Sequence, residues 1–216
     1  MSGAVRAELE PLPVRLRKLP LDARGYPIPW FVDWIDGVPE FRAMDPRKFR
    51  RAVQERLCWV CGEPLGRWLA FPIGPMCTIT RTISEPPSHL ECAEWSARNC
   101  PFLANPRAER RTEGLPADHE HAPGLPILRN PGVVCVWVTR SYETFPDANK
   151  RTLITVGAPA NTIWYCEGRK ATRAEVEAAV HGGLPTLLAT AKTDGPFAVQ
   201  MLGRMTAAAE AHWPAA

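Results

Sequence analysis

The stretches Cys58-Trp59-Val60-Cys61-Gly62 and Ser88-His89-Leu90-Glu91-Cys92 decide the fold. Each holds a close pair of metal-ligating side chains, first Cys-x-x-Cys and then His-x-x-Cys. Structural zinc sites take four Cys or His ligands in a tetrahedron, and proteins often supply them as two such pairs. The spacing therefore predicts one structural Zn²⁺ ion, held by Cys58, Cys61, His89 and Cys92.

The residues around the two pairs predict a treble-clef arrangement, in which a knuckle is followed by a hairpin and a helix that starts with the second pair. Apolar residues and threonines alternate over residues 68–83 around Gly74-Pro75, which predicts the β-hairpin. Ser88, with Glu91 three positions later, predicts a capping box at the start of the helix, and Pro101 predicts its end.

Two alternatives to this ligand set stay open. Cysteines are common in protein cores, so the four residues could simply be buried. Cys77, in the predicted hairpin, could replace His89 as the fourth ligand. Cys100 cannot share an ion with Cys92, because eight helical residues separate them by about 12 Å along the axis.

The flanking sequence predicts the α+β fold class. Asp45 and Pro46 predict the start of a helix that runs to about Leu57, with Phe49 and Val53 on its apolar face. Residues 1–104 are then an N-terminal arm, this helix and the zinc module. Residues 105–130 are a Pro-rich linker, and residues 131–216 a C-terminal α+β domain.

The C-terminal domain is predicted to contain strands at 133–139, 153–156 and 162–166. Thr172 and Glu175 predict a capping box that opens a helix, and Gly182-Gly183 predict its end. Pro185 and Pro196 are each predicted to start a further helix. The run Asp118-His119-Glu120-His121 resembles a metal cluster, but its polar, Pro-rich surroundings favour a solvated loop.

Composition limits the class of protein without naming a partner. The chain has 216 residues, a net charge of +3 and 23 prolines, so it is long enough for a core and only mildly basic. No stretch approaches the roughly 20 apolar residues of a membrane span, which predicts a cytoplasmic protein without membrane contact. Seven cysteines, an odd number, favour metal binding over disulfides.

A basic helix face is the best sequence-based candidate for nucleic-acid contact. It comprises Arg47, Lys48, Arg50 and Arg51. Its charges could bind phosphates, and nearby tryptophans, Trp30, Trp34 and Trp59, could stack on bases. The simpler interpretation is a solvated helix face. An HNH-type nuclease is disfavoured because residues 62–88 contain neither His nor Asn.

The remaining cysteines suggest a second possibility, a thiol-dependent enzyme. Cys77 and Cys100 are the candidate nucleophiles, with Arg81 or Arg98 as the activating charge. Packing as small apolar residues is favoured instead, because no His is near in sequence to act as a base. Cys135 and Cys166 lie on predicted strands and are expected in the core.

Several segments resemble a group of uncharacterised proteins from bacterial genomes, prophages and phages. They are GYPIPWFVDWIDGVPEF (25–41), CWVCGEPLG (58–66), FPIGPMCTITR (71–81), EPPSHLECAEWSARNCPFL (85–103), RNPGVVCVWVT (129–139) and EGRKATRAEVEAAVHGGLP (167–185). The resemblance covers most of the chain and implies a shared fold and zinc module, but no activity. The expected function is a zinc-stabilised accessory or binding protein that contacts nucleic acid or a protein partner.

Overall fold

The computed structural model describes residues 5–109, 114 and 129–215, and in these the chain is a mixed α+β fold with small antiparallel sheets. The predicted fold class is confirmed at this level. The predicted loop at residues 118–121 lies outside the described ranges.

Helices and strands follow each other in an irregular order along the described chain. They are the 3₁₀ helix Val14–Lys18, β1 Val32–Ile35, β2 Val38–Met44, α1 Pro46–Gln54, β3 Leu69–Ile73, α2 Pro75–Thr80, β4 Thr82–Ile83, α3 Leu90–Asn99, β5 Val134–Thr139, β6 Tyr142–Pro146, β7 Thr152–Val156, β8 Asn161–Cys166, β9 Arg169–Lys170, α4 Arg173–Asp194, α5 Pro196–Ala209 and the 3₁₀ helix Glu210–His212.

The sheets join the two halves of the chain. The largest has the order β3-β5-β8-β9, a second has the order β4-β7-β6, and β1 pairs with β2. β3 and β4 belong to the predicted N-terminal part, yet they pair with β5 and β7 of the predicted C-terminal domain. The two parts separated by the predicted linker therefore share two sheets.

The four-stranded sheet is covered on both faces. Ala93 and Ala97 of α3 pack with Val134, Val136 and Val138 on one face. On the other, α2, α4 and α5 pack with the alternate strand residues, among them the fully buried Trp137. Burial on both faces explains why β5 is apolar up to its last residue, Thr139. None of the helices in the described ranges has the length and apolar character needed to cross a bilayer.

The start of α1 is as predicted. Asp45 is the N-cap, its side chain accepts a hydrogen bond of 2.8 Å from the backbone N–H of Arg47, and Pro46 is the first helical residue. The helix ends at Gln54, and Leu57 lies beyond it, buried next to the knuckle. Phe49 and Val53 are only partly buried.

The predicted hairpin at residues 68–83 is wrong. Gly74 caps a short helix and Pro75 is its first residue, so the segment is strand, helix, strand, and its two strands lie in different sheets. Proline suits both a turn and the first position of a helix. The deciding contacts are with β5 and β7, far away in sequence.

The predicted capping box at Ser88 is also wrong. The backbone N–H and C=O of Ser88 pair with Ala70, at 2.8 and 2.9 Å, so its backbone stays extended and His89 becomes the N-cap. Glu91 instead forms an ion pair of 2.7 Å with Arg15. The helix ends before Pro101, as predicted.

The helix that opens at Thr172 with a capping box to Glu175 is confirmed, but it does not end at Gly182-Gly183. It continues through Pro185 to Asp194, and Pro196 starts α5 as predicted. Gly183 allows close packing instead of ending the helix, because a Cβ there would lie 2.7 Å from Sδ of Met76 in α2.

Candidate metal centre

Cys58 and Cys61 lie on a tight knuckle that directly follows the α1 region. The backbone N–H of Gly62 donates to the carbonyl of Cys58 at 2.8 Å, and the N–H of Cys58 donates to the carbonyl of Glu63 at 2.8 Å. Leu57 and Pro64 form a bridge at the base of this turn. The chain thus reverses within a few residues, which turns both thiols to the same side.

The second pair comes from the start of α3. His89 is the N-cap and Cys92 lies in the first turn. The four ligand atoms of Cys58, Cys61, His89 and Cys92 all lie within 4.8 Å of one another, so this cluster could hold a metal ion. Cys77 is not part of it, since it packs from α2 against the main core.

The orientation of the His89 ring is fixed by a hydrogen bond outside the cluster. Nδ1 lies 3.4 Å from Sγ of Cys61, and Nε2 lies 3.0 Å from the carbonyl oxygen of Pro64. Because a carbonyl only accepts, Nε2 must carry the proton that it donates, and in the neutral ring that would bind a metal the lone pair is then on Nδ1. Metal-ligating histidines are typically oriented in this way.

The sulfur of Cys58 is the most strongly hydrogen-bonded of the cluster. It accepts backbone N–H bonds from Cys61, at 3.5 Å, and from His89, at 3.4 Å. Burial opposes its ionisation, but hydrogen bonds from Cys61, Cys92 and His89 outweigh burial and lower the pKa of Cys58. The thiolate form of Cys58 is therefore favoured over the thiol.

The sulfur of Cys58 also shifts the pKa values of Cys92 and His89. Hydrogen bonds with Cys58 and Cys61 raise the pKa of Cys92, and burial adds to the effect. Hydrogen bonds to the same two sulfurs raise the pKa of His89 to about 10. The cluster thus stabilises positive charge among its sulfurs, and a divalent cation would supply that charge as it displaced the thiol protons.

An N-terminal arm covers the cluster. Leu12 and Leu16 are buried against Cys58, Val60, Cys92 and Trp95. Arg15 of the same arm forms ion pairs with Glu63, at 3.1 Å, and with Glu91, at 2.7 Å. It therefore links the arm to both the knuckle and α3, a role that its isolated position in the sequence did not reveal.

Gly62 is needed at the end of the knuckle for two reasons. Its φ is +75°, and a Cβ there would lie 2.6 Å from Cγ of Trp30. We expect Gly62→Ala to lower the free energy of unfolding by more than the roughly 1–2 kcal/mol of left-handed strain alone. Gly37→Ala is the matched control, because its φ is +78° and no atom lies within 4 Å. If urea denaturation shows equal losses in the free energy of unfolding for the two variants, the close approach of Trp30 to Gly62 does not contribute.

Comparison with models of protein families, with curated proteins and with solved structures finds no match for this chain.

The predicted basic helix face is largely engaged within the protein. Arg47 forms an ion pair with Asp45 at 3.1 Å, and Arg51 forms one with Glu55 at 2.9 Å. Lys48 donates to the carbonyl of Val32 at 2.9 Å. Only Arg50 of the four has no such contact within the described ranges.

The tryptophans predicted to accompany this face differ in exposure. Trp59 is only 3% exposed, stacks on Phe31 with ring centroids 4.9 Å apart, and meets Phe49 edge-on at 5.8 Å. It is therefore a core residue and cannot stack on a base, contrary to the prediction. Trp34 is 45% exposed, as expected, and Trp30 is partly buried beneath Arg51.

Cys77 does not show the environment of an activated nucleophile. Burial raises the pKa of Cys77 to about 11, and the carboxylate of Glu85 adds to the effect. Cys135 and Cys166 are buried on strands as predicted, and burial raises the pKa of both. Cys100 is the C-cap of α3 and is partly exposed.

We expect Cys77 to resist alkylation in the folded protein, because a partly buried thiol with a raised pKa forms little thiolate near neutral pH. Iodoacetamide treatment at pH 8 followed by peptide mass spectrometry should leave Cys77 unmodified, whereas the same treatment in denaturant should modify it. Rapid, selective modification of Cys77 in the folded state would instead support the thiol-enzyme hypothesis.

Proposed function

We propose that this chain is a zinc-stabilised accessory protein, of bacterial or phage origin, that binds nucleic acid and uses its metal for structure. The metal's role is supported by one observation above all. Four protein side chains converge on one point, and the hydrogen bond from His89 to Pro64 orients the fourth of them.

Zinc is the ion that this donor set fits best. Three thiols and one imidazole suit its preference for sulfur and nitrogen in a tetrahedron. Zn–S bonds of about 2.3 Å and Zn–N bonds of about 2.0–2.1 Å imply tetrahedral edges of about 3.8 Å between sulfurs and about 3.6 Å from sulfur to nitrogen. The 3.4 Å between Sγ of Cys61 and Nδ1 of His89 is close to that edge.

The module is proposed to be treble-clef-like, with one departure. A knuckle and the start of a helix supply the ligand pairs, but β3, α2 and β4 stand where a treble clef has a hairpin. Since four protein ligands leave no open coordination position, the ion would not bind substrate. Its role would be to fasten the arm, the knuckle and α3 together.

Nucleic-acid binding is supported by the distribution of positive charge. Arg50, Arg56, Arg67 and Arg140 are exposed, and none pairs with a carboxylate in the part of the chain that the structure describes. Arginine without a carboxylate partner is free to bind phosphate, often through two hydrogen bonds. All but Arg140 come from α1 or the knuckle region.

A titration of labelled oligonucleotides at low and moderate salt tests this function. We expect wild type to bind, with an affinity that falls as salt rises, because phosphate contacts release counterions. Replacing Arg47, Lys48, Arg50 and Arg51 together with Ala should leave zinc content unchanged and weaken binding to different sequences equally, since these groups offer charge but no base readout. Two of them are already ion-paired, so the loss should be modest. No binding by wild type at low salt would contradict the function.

A protein-interaction platform is the second candidate. The β1–β2 hairpin exposes Trp34, Val38 and Phe41, and neighbouring exposed apolar side chains are typical of protein contact sites. Absence of nucleic-acid binding would make this candidate the preferred one.

A further inference from the structure

Arg67 and Arg140 lie against the exposed ring of Trp68, and Arg56 lies in the segment between α1 and the knuckle. We infer that Arg56, Arg67, Trp68 and Arg140, here called the arginine–tryptophan surface, bind single-stranded nucleic acid, an inference that rests on the proposed function. Trp68 is 42% exposed. The guanidinium carbon of Arg140 lies 4.4 Å from the centre of its ring, and that of Arg67 lies 5.8 Å from it.

The fold brings these residues together from distant parts of the chain. Trp68 directly precedes β3, and Arg140 directly follows β5. β3 and β5 are antiparallel with Leu69 opposite Thr139, so Trp68 and Arg140 lie at the same end of these two strands. Two paired strands fix this contact, which gives the surface a rigid base.

Arg56 is the third charge that we assign to this surface. Its carbonyl accepts a hydrogen bond of 2.8 Å from the N–H of Leu65, which ties it to the segment that leads to Trp68. Its side chain also lies close enough to Tyr142 to affect that group: burial raises the pKa of Tyr142, and the charge of Arg56 opposes the rise. Tyr142 begins β6, just after Arg140.

The charges of this surface are available to a ligand. Within residues 5–109, 114 and 129–215, Arg56, Arg67 and Arg140 form no ion pair with a carboxylate, in contrast to Arg47 and Arg51. The guanidinium groups of Arg67 and Arg140 lie beside the same ring and repel each other, and a polyanion would relieve that repulsion. The guanidinium fork matches the geometry of phosphate, and nucleic acid presents phosphates in a repeating chain.

The exposed indole decides between single and double strands. Proteins that bind single strands combine a positive surface with aromatic side chains on which bases stack. In a duplex the faces of the bases are covered by their neighbours, so an exposed tryptophan finds no partner there. An unpaired base could extend the stack that Arg140 and Trp68 already form, while its flanking phosphates contact the arginines.

The test compares two pairs of matched variants of the full-length, zinc-loaded chain. Trp68→Ala is matched by Trp34→Ala, which removes another exposed indole. The double variant Arg67→Ala/Arg140→Ala is matched by Arg47→Ala/Arg51→Ala, which removes the same charge from ion-paired arginines.

Fluorescence anisotropy with a labelled 20-nucleotide single strand and a duplex of equal length reports binding. Circular dichroism and zinc content check the fold of each variant, and Trp68→Phe retains an aromatic ring if Trp68→Ala folds poorly.

We expect wild type to prefer the single strand and Trp68→Ala to weaken that binding about 5- to 100-fold, with Trp68→Phe between them. If the three arginines each contact a phosphate, a plot of log affinity against log salt should have a slope of about −2. The double variant Arg67→Ala/Arg140→Ala should make this slope shallower by about 1.4. The two controls should bind nearly as wild type does.

Two results would overturn the inference. The first leaves the proposed function standing, and the second does not. If Trp68→Ala and Arg67→Ala/Arg140→Ala bind as wild type does while Arg47→Ala/Arg51→Ala loses binding, the surface is wrong but the proposed function stands. If wild type binds neither oligonucleotide at low salt, the proposed function fails as well, and Arg140 and Arg67 serve only to pack Trp68.

Discussion

Cys92→Ser is expected to abolish metal binding and to unfold the region around the cluster. Cys92 is fully buried and supplies one of four ligand atoms that lie within 4.8 Å. Structural zinc contributes about 10–16 kcal/mol of apparent binding free energy in zinc-finger peptides. That is as large as the whole stability of a typical domain, about 5–15 kcal/mol, so the region around the cluster should not stay folded without the metal.

Cys166→Ser is the matched control, because Cys166 is also buried but lies in β8, outside the cluster. Elemental analysis should find zinc in this control and none in Cys92→Ser. Urea denaturation, followed by circular dichroism, should show an early transition only in Cys92→Ser. A Cys92→Ser protein that retains zinc and denatures like wild type would contradict the ligand assignment.

Trp59→Ala is expected to have the second-largest effect, a loss of about 3–5 kcal/mol in the free energy of unfolding. Trp59 lies between the two cysteines of the knuckle and is stacked on Phe31 and in edge contact with Phe49. Its removal would leave a cavity between the knuckle, the β1 region and α1. Phe31 and Phe49 would then lose their aromatic contact with the knuckle.

Trp34→Ala removes an indole of the same size from an exposed position. Urea denaturation of the two variants under identical conditions should show a large shift of the midpoint for Trp59→Ala and little change for Trp34→Ala. A similar, small shift for both would mean that the aromatic stack contributes little to stability.

The cluster of Cys58, Cys61, His89 and Cys92 could be predicted from the sequence because it depends on local spacing. Cys58 and Cys61 fit a single turn, and His89 and Cys92 fit the start of one helix, whatever the rest of the chain does. Helix starts at Pro46, Thr172 and Pro196 were predictable for the same reason, since capping residues act over three or four positions.

Features set by distant residues could not be predicted in this way. Pairing of β3 with β5 and of β4 with β7 turns an apparent hairpin into two strands of different sheets. The same pairings bring the predicted N-terminal and C-terminal parts into shared sheets, which the Pro-rich composition of residues 105–130 gave no sign of.

Charge clusters in a sequence also do not reveal which charges are free. Arg47 and Arg51 stand out as a basic run, yet Asp45 and Glu55 neutralise them from positions two and four residues away. Arg67 and Arg140 do not stand out, because their proximity depends on the register of β3 and β5. The surface with the more available charge is therefore the one that only the fold brings together.

The metal centre is tested most directly by zinc-edge X-ray absorption of protein purified without added metal or chelator. We expect about one zinc per chain, bound by three sulfurs at about 2.3 Å and one nitrogen at about 2.0–2.1 Å, from Cys58, Cys61, Cys92 and His89. A fully folded preparation that contains no metal, or a zinc bound mainly by oxygen, would contradict a structural zinc held by these four residues.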